Sequence, residues 1–165
     1  SQYPDTHLFI SAPNADTGNS AIRSVLEDFT RLNPGRVFLV ESFGHENYLS
    51  LLSHCDLMVG NSSSGIIEAP TARLPVVNIG DRQRGRPMAE STISVNCTAL
   101  DISEGIKRAT SEQFRESINW QRAKATYLGG KVSERILRIV ENLELEKLMI
   151  KDFYDLPDRR SEAKS

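Results

Sequence analysis

The sequence predicts an α/β fold built on a doubly wound parallel sheet, and three observations predict it. Short β-branched or aromatic runs alternate with stretches of helical spacing, the links between them are brief, and the first four runs are mostly apolar rather than alternately polar. Strands buried on both faces have that character, and strand–helix alternation with short links is how a parallel sheet is wound. A chain of 165 residues suits one such domain with a substantial core.

Taken in order, the strands are Leu8-Phe9-Ile10, Arg36-Val37-Phe38-Leu39-Val40, Asp56-Leu57-Met58-Val59 and Pro75-Val76-Val77-Asn78-Ile79, with a weaker fifth at Thr92-Ile93-Ser94-Val95. Each is bounded by Pro, Gly or polar turn residues. Helices fall between them. Ala21, Ile22, Val25, Leu26 and Phe29 recur at helical spacing until Asn33-Pro34-Gly35 stops the pattern. Residues 46–54 and 65–72 supply two more, and 101–110 a fourth that 111–117 is expected to continue. After Gly129-Gly130, the positions Val132, Ile136, Ile139, Val140 and Leu143 mark a long amphipathic helix reaching about Met149. The expected layout is one domain over 1–157 and a charged tail over 158–165.

In sheets of this kind ligands bind at the carboxyl ends of the strands, where helix N-termini also point. Residues 12–18, 41–45, 60–65 and 80–90 are therefore the loops to inspect. The most informative is Gly60-Asn61-Ser62-Ser63-Ser64-Gly65, where a strand runs through small residues into a helix. Small side chains admit a ligand close to the backbone, and the unpaired N–H groups of a first helical turn favour an anion. An N-cap at Asn61 or Ser62 followed by a tight turn accounts for the same residues, and composition leaves both readings open. The turn lacks the G-x-x-x-x-G-K-[ST] and G-x-G-x-x-G patterns, so neither a triphosphate loop nor a nicotinamide cofactor is indicated, and no cofactor is expected. Glu68 follows in what reads as the first helical turn, where the dipole favours a carboxylate and where one can also accept two ribose hydroxyls.

Three arginines, Arg82, Arg84 and Arg86, crowd the next loop. Guanidinium groups pair with phosphates through two parallel hydrogen bonds. Such a run is ordinarily a solvated loop, yet this one leaves a strand end that opens on the same side as the serine turn, so at least one arginine is expected to face a ligand.

Composition excludes other classes. With 20 basic against 22 acidic residues the net charge is −2, unlike the basic excess of nucleic-acid binders. No apolar run approaches the 18–20 or so residues that span a bilayer, and no signal peptide opens the chain. Cys55 and Cys97 form neither a disulfide framework nor metal-ligand spacing. The expectation is a cytoplasmic protein with no nucleic-acid, membrane or metal partner.

The strings GNSSSGIIEAP and PVVNIGDRQRGRPMAE resemble the nucleotide-binding segment of UDP-N-acetylglucosamine 2-epimerases. They are most similar to the hydrolysing type of sialic and legionaminic acid synthesis. Pro13-Asn14-Ala15-Asp16-Thr17-Gly18 is similar to that subgroup's Pro-Asn-x-Asp-x-Gly loop, and Phe153-Tyr154-Asp155 to a common ending. The resemblance runs through most of the chain. It implies the Rossmann-like C-terminal half of a GT-B-like enzyme whose active site lies between two domains, with the N-terminal domain as its partner. It also implies UDP or UDP-N-acetylglucosamine as ligand. Ser62, Ser63 and Ser64, with Asn61 and Gly65, would hold the diphosphate, Glu68 the ribose and Arg82 a phosphate. Tyr48 would pack near the uracil, whose polar edge would meet the backbone of Ser42, Phe43 and Gly44. Tyr48 reads equally as a core aromatic of its helix. Asn14 and Asp16 would lie at the sugar end as candidate catalytic groups, or serve as turn and cap residues. His45 begins a helix near the same cleft, while His7 and His54 are expected to be structural.

Two positions depart from the family pattern. Tyr127-Leu128-Gly129-Gly130 replaces Tyr-Gly-Asp-Gly, so that turn receives no role, and Arg73-Leu74 replaces a small or aromatic pair, with no consequence expected for the site. By resemblance the reaction is elimination of UDP across C1 and C2 followed by hydration, with the main acid–base carboxylates on the other domain. This chain alone would then bind UDP weakly and turn over nothing. A non-hydrolysing epimerase and a non-catalytic nucleotide-sugar-binding module are the alternatives. An apolar face intended for a partner domain also allows homo-oligomers.

Overall fold

The computed structural model describes residues 3–13, 19–127 and 130–144. Among the described residues, five strands and seven helices follow one another: β1 (Leu8–Ser11), α1 (Asn19–Leu32), β2 (Val37–Val40), α2 (His45–His54), β3 (Met58–Gly60), α3 (Ser64–Ile67), β4 (Val76–Ile79), β5 (Thr92–Val95), α4 (Ala99–Ala109), α5 (Glu112–Ser117), α6 (Trp120–Ala125) and α7 (Val132–Glu141). The five expected strands are all present, within two residues of the expected ends. All strand pairs are parallel, and the fold is Rossmann-like α/β. The ladder bonds fall into two groups among the described residues, β1–β2 and β3–β4–β5, rather than one continuous sheet.

Two units make up the chain, residues Ser1–Tyr127 and Leu128–Ser165. In the first, β4 is the pivot. Neighbouring strand residues point to opposite faces, so Val76 and Val77 feed different cores. Val76 joins Leu52, Ala69 and Leu74, with Tyr48, Cys55, Met58 and Ala72 packed around them. Val77 joins Ile93 and Ala109, with Ile106, Val95 and Phe114 alongside. Helices α2 and α3 thus supply one face and α4 and α5 the other, which is the double winding expected. A third cluster of Ala89, Ile118 and Ala123 seats α6 under the segment entering β5.

Several helix boundaries differ from the sequence expectation. Helix α3 is a single turn rather than eight residues, because Pro70 has no N–H to donate to the carbonyl of Ile66. The chain continues in turns, with Thr71 and Ala72 N–H donating to the Glu68 carbonyl. Residues 111–117 form a separate helix instead of continuing α4, since the Ser111 hydroxyl accepts the Phe114 N–H at 3.3 Å as a fresh N-cap. The short α6 shows no extended apolar period, yet Asn119 caps it by accepting Arg122 N–H at 3.1 Å. Helix α7 stops at Glu141 rather than near Met149, where the Asn142 side chain donates to the Arg138 carbonyl at 2.6 Å and competes with the helical ladder.

The apolar stripe of α1 that revealed the helix is solvent-exposed at Ile22, Val25, Phe29 and Leu32. An ion pair from Arg23 to Glu41 ties α1 to the residue after β2. In the second unit, α7 exposes its own stripe at Val132, Ile136, Ile139 and Val140.

One close approach is testable by itself. Gly105 of α4 lies so near the sheet that a Cβ there would stand 2.9 Å from Val95 Cγ1 and 3.1 Å from Val77 Cγ1. Alanine is the better helix former by about 1 kcal/mol. Overpacking against two stiff valines costs about 1–3 kcal/mol and outweighs that gain. Gly105→Ala should lower stability by about 1 kcal/mol, roughly 2–4 °C in a thermal melt. An unchanged or raised midpoint would show that the valines give way.

Candidate functional site

The loops after β2, β3 and β4 leave the carboxyl ends of their strands, and the serine turn after β3 is gripped from both neighbouring loops. Within the turn, Ser64 N–H donates to Ser62 Oγ at 3.3 Å. Gly65 N–H donates to the Ser62 carbonyl at 3.2 Å, and Ile66 and Ile67 N–H both donate to the Ser63 carbonyl at 3.0 Å. Ser63 is the N-cap, not Asn61 or Ser62 as the simple-cap reading would have it, and its hydroxyl makes no capping bond. The amides of Ser62 and Ser63 have no hydrogen-bond partner among the described residues. Two N–H groups and a serine hydroxyl therefore remain to meet an anion. With α3 only four residues long, little macrodipole stands behind them.

Gly65 serves packing. A Cβ there would lie 3.0 Å from Val76 Cγ1, so glycine lets α3 sit directly on the sheet and sets the height of the turn above it. Glu68 is the C-cap of α3 rather than a first-turn residue, so attraction to a helix N-terminus does not explain it. Its Oε2 is buried and accepts no hydrogen bond among the described residues. A buried acceptor left unpaired costs free energy, and ligand hydroxyls would relieve that cost.

On one side, α2 brings Tyr48 to the turn. Gly44 holds a positive φ of 68° at the α2 N-cap, which suits glycine, and its N–H donates to Ser42 Oγ at 3.2 Å. One turn later, the half-buried Tyr48 shares a 2.6 Å hydrogen bond between its phenol and Ser64 Oγ. Its ring centroid lies 6.4 Å from that of Phe43, tilted by 33°. The aromatic thus packs against the Leu52–Ala69–Leu74–Val76 core and fixes a serine hydroxyl at once.

From the other side comes the loop of residues 80–87. Arg82 Nη1 donates to the Asn61 carbonyl at 3.2 Å and Gln83 Nε2 donates to the same oxygen at 2.7 Å. Arg84 and Arg86 are exposed, as arginines of a solvated loop are. Of the three guanidinium groups, Arg82 is the one brought to the serine turn. Asn14 and Asp16 lie outside the described residues, as does the Phe153-Tyr154-Asp155 ending. His45 is exposed at the start of α2, His7 stacks on Phe38, and His54 bonds the Ser50 carbonyl through Nδ1 at 2.8 Å.

The serine turn therefore meets a guanidinium, a buried amide, a phenol and an unpaired carboxylate oxygen in one short segment. The sequence pattern of the UDP-N-acetylglucosamine 2-epimerase family matches residues 1–141. The chain belongs to that family. It is 33% identical over 150 residues to a GDP/UDP-N,N'-diacetylbacillosamine 2-epimerase (hydrolyzing) of Campylobacter jejuni, covering 90% of this chain and 38% of the relative. It is 32% identical over 158 residues to polysialic acid biosynthesis protein P7 of Escherichia coli, covering 94% and 39%. To a UDP-N,N'-diacetylbacillosamine 2-epimerase (hydrolyzing) of Legionella pneumophila it is 33% identical over 140 residues, covering 84% and 34%. The chain thus spans between 34% and 39% of the length of these relatives.

Other features of this epimerase-family chain fit the serine turn less well as sites. A hollow of about 370 Å³ between the ends of β4 and β5 and helix α4 is lined by Asp81, Asp101, Glu104 and Arg108. Three acids against one base would repel a diphosphate. Burial, and then the neighbouring Asp56 carboxylate, push the Cys55 thiol above its ordinary value, which keeps it protonated and unreactive at neutral pH. No group of three or more His, Cys, Asp or Glu side chains among the described residues is arranged to hold a metal ion. No described helix is long and apolar enough to cross a membrane.

Two buried polar residues escaped sequence reading, one at the serine turn and one in β4. Gln83 is 2% exposed in a loop that otherwise reads as solvated. Asn78 is equally buried in β4, where its Nδ2 reaches Ser94 Oγ at 3.4 Å. Asparagine inside an apolar strand was a visible signal, since strands are depleted in it. Gln83 carried no such mark.

Proposed function

We propose that this chain is the C-terminal, UDP-sugar-binding domain of a hydrolysing UDP-N-acetylglucosamine 2-epimerase. In full, such an enzyme releases UDP and N-acetylmannosamine or a related acetamido sugar. The observation that carries the proposal is the convergence of Arg82 on Asn61, the residue that opens the serine turn. A fork of charged donors there, beside the amides of Ser62 and Ser63, suits a diphosphate. Glu68, with its buried unpaired oxygen, suits two ribose hydroxyls. Phe43 and Tyr48 offer an aromatic edge for the base, and the backbone of Ser42, Phe43 and Gly44 would meet its polar groups. Supporting the hydrolysing branch, two of the relatives carry that word in their names.

The chemistry in this proposal begins with removal of the sugar's C2 proton by a base. The C1–O bond then breaks and UDP departs with its electron pair, leaving a C1=C2 double bond. Water adds across that bond with the opposite configuration at C2. This chain supplies the leaving-group half: Arg82 and the Ser62 and Ser63 amides stabilise the charge that grows on UDP. Asn14 and Asp16 are assigned to the sugar end, and the main acid–base carboxylates to an N-terminal domain. Residues 1–157 form the binding domain in this proposal, 158–165 a charged tail, and the cytoplasm is the place of action.

Calorimetry with UDP and ADP tests the site. UDP should bind, weakly, and ADP more weakly still. No heat with UDP, or equal affinity for ADP, would sink the assignment. For the full-length protein, product analysis decides the branch. Free UDP with N-acetylmannosamine is expected, whereas UDP-N-acetylmannosamine would mean a non-hydrolysing enzyme.

A further inference from the structure

The Asn61 carbonyl accepts two side-chain donors, Arg82 Nη1 at 3.2 Å and Gln83 Nε2 at 2.7 Å. A carbonyl oxygen has two lone pairs, so both are occupied. The two donors differ in character. Arg82 is exposed, while Gln83 is 2% exposed and makes the shorter bond. The amide of Gln83 can face only one way here, because turning it over would set its carbonyl oxygen against that of Asn61. Its backbone is held too, since the Gln83 carbonyl accepts Arg86 N–H at 3.2 Å.

We propose that Gln83 is a positioning residue: it keeps the Asn61 carbonyl, and with it the serine turn, in place when Arg82 leaves that oxygen for a bound diphosphate. This rests on the assignment of Arg82 to the diphosphate made above. A guanidinium that engages phosphate through two parallel bonds must reorient its fork. In this structure one arm of that fork is spent on Asn61. If Arg82 were the sole donor, its departure would strip the carbonyl at the mouth of the turn and tax ligand binding. With Gln83 on the second lone pair, the carbonyl stays paired in both states. Gln83 therefore lowers the cost of moving Arg82 without touching the ligand.

The test is a double-mutant cycle on this chain, with UDP binding measured by calorimetry and folding by thermal melts. Gln83→Met keeps the volume and removes the donor. It should weaken UDP binding roughly tenfold when Arg82 is present, the scale of one unpaired carbonyl. In an Arg82→Ala background the same change should alter affinity less than about twofold, since no guanidinium has to leave Asn61. Equal losses in both backgrounds would make Gln83 an ordinary structural member of the loop and overturn the proposal. So would no loss in either. Should Gln83→Met fail to fold, Gln83→Leu, which also lacks the donor and adds no charge, carries the cycle with the same expectation. If Arg82→Ala alone leaves UDP affinity unchanged, Arg82 is no phosphate ligand, and both this inference and the site assignment beneath it fail. If Arg82→Ala weakens binding and the Gln83 variants do not, only this inference falls.

Discussion

Arg82→Ala should weaken UDP binding to this chain by roughly ten- to a hundredfold while leaving its thermal stability nearly unchanged. Hydrogen bonds to charged groups contribute about 1.5–3 kcal/mol, and each 1.4 kcal/mol or so is a factor of ten in affinity. Arg82 is exposed, and its bond to the Asn61 carbonyl is duplicated by Gln83, so its removal leaves no buried group unpaired. Folding should therefore shift by no more than about 0.5 kcal/mol, as for other surface changes. Arg82→Lys keeps the charge and loses the fork, and should fall between the two. Titrations at low and high salt add a second readout, because screening weakens a charge pair at an exposed site. The parent's affinity should drop with salt more steeply than that of Arg82→Ala. Equal affinities for parent and alanine variant would remove Arg82 from the site.

The largest stability effect should come from Leu74→Ala, with a loss of about 2–5 kcal/mol. Leu74 is 1% exposed and packs with Leu52, Ala69 and Val76, the cluster on which Tyr48, Cys55, Met58 and Ala72 also rest. Its N–H is tied to the Ala69 carbonyl at 3.0 Å, so the backbone has little room to collapse into the cavity left behind. The size of the loss depends on that relaxation, and a held backbone puts it toward the upper end. Urea unfolding monitored by circular dichroism measures it. Leu74→Met, which conserves volume, should cost less than about 1.5 kcal/mol. A loss below about 1 kcal/mol for the alanine variant would mean that this cluster is not the core of its face. Because Tyr48 leans on the same cluster while bonding Ser64, UDP affinity should fall together with stability in this variant. Arg82→Ala should separate the two.

Much of the fold was legible from local pattern. The five strands were found because β-branched runs bounded by turn residues have few other uses, and the parallel arrangement because most of those runs were apolar rather than alternately polar. The serine turn was legible for a similar reason, since small residues between a strand and a helix leave the backbone open. Helix ends were less legible where a single residue decided them: Pro70 shortened α3 and Ser111 began α5.

By itself, then, the sequence determined the α/β class, the order of the strands and the family, and it pointed to the serine turn as the candidate site. These depend on patterns repeated over a few neighbouring residues. Only the tertiary structure decided which side chains serve that segment. It set Tyr48 on Ser64 across 16 residues and Gln83 on Asn61 across 22. It withdrew Glu68 from the first turn of α3 and set Arg82, the arginine that the family resemblance had named, on the Asn61 carbonyl. The physical reason is that a hydrogen bond or a buried position at such separations is fixed by how strands and loops pack side by side. No period, cap or propensity along the chain carries that information.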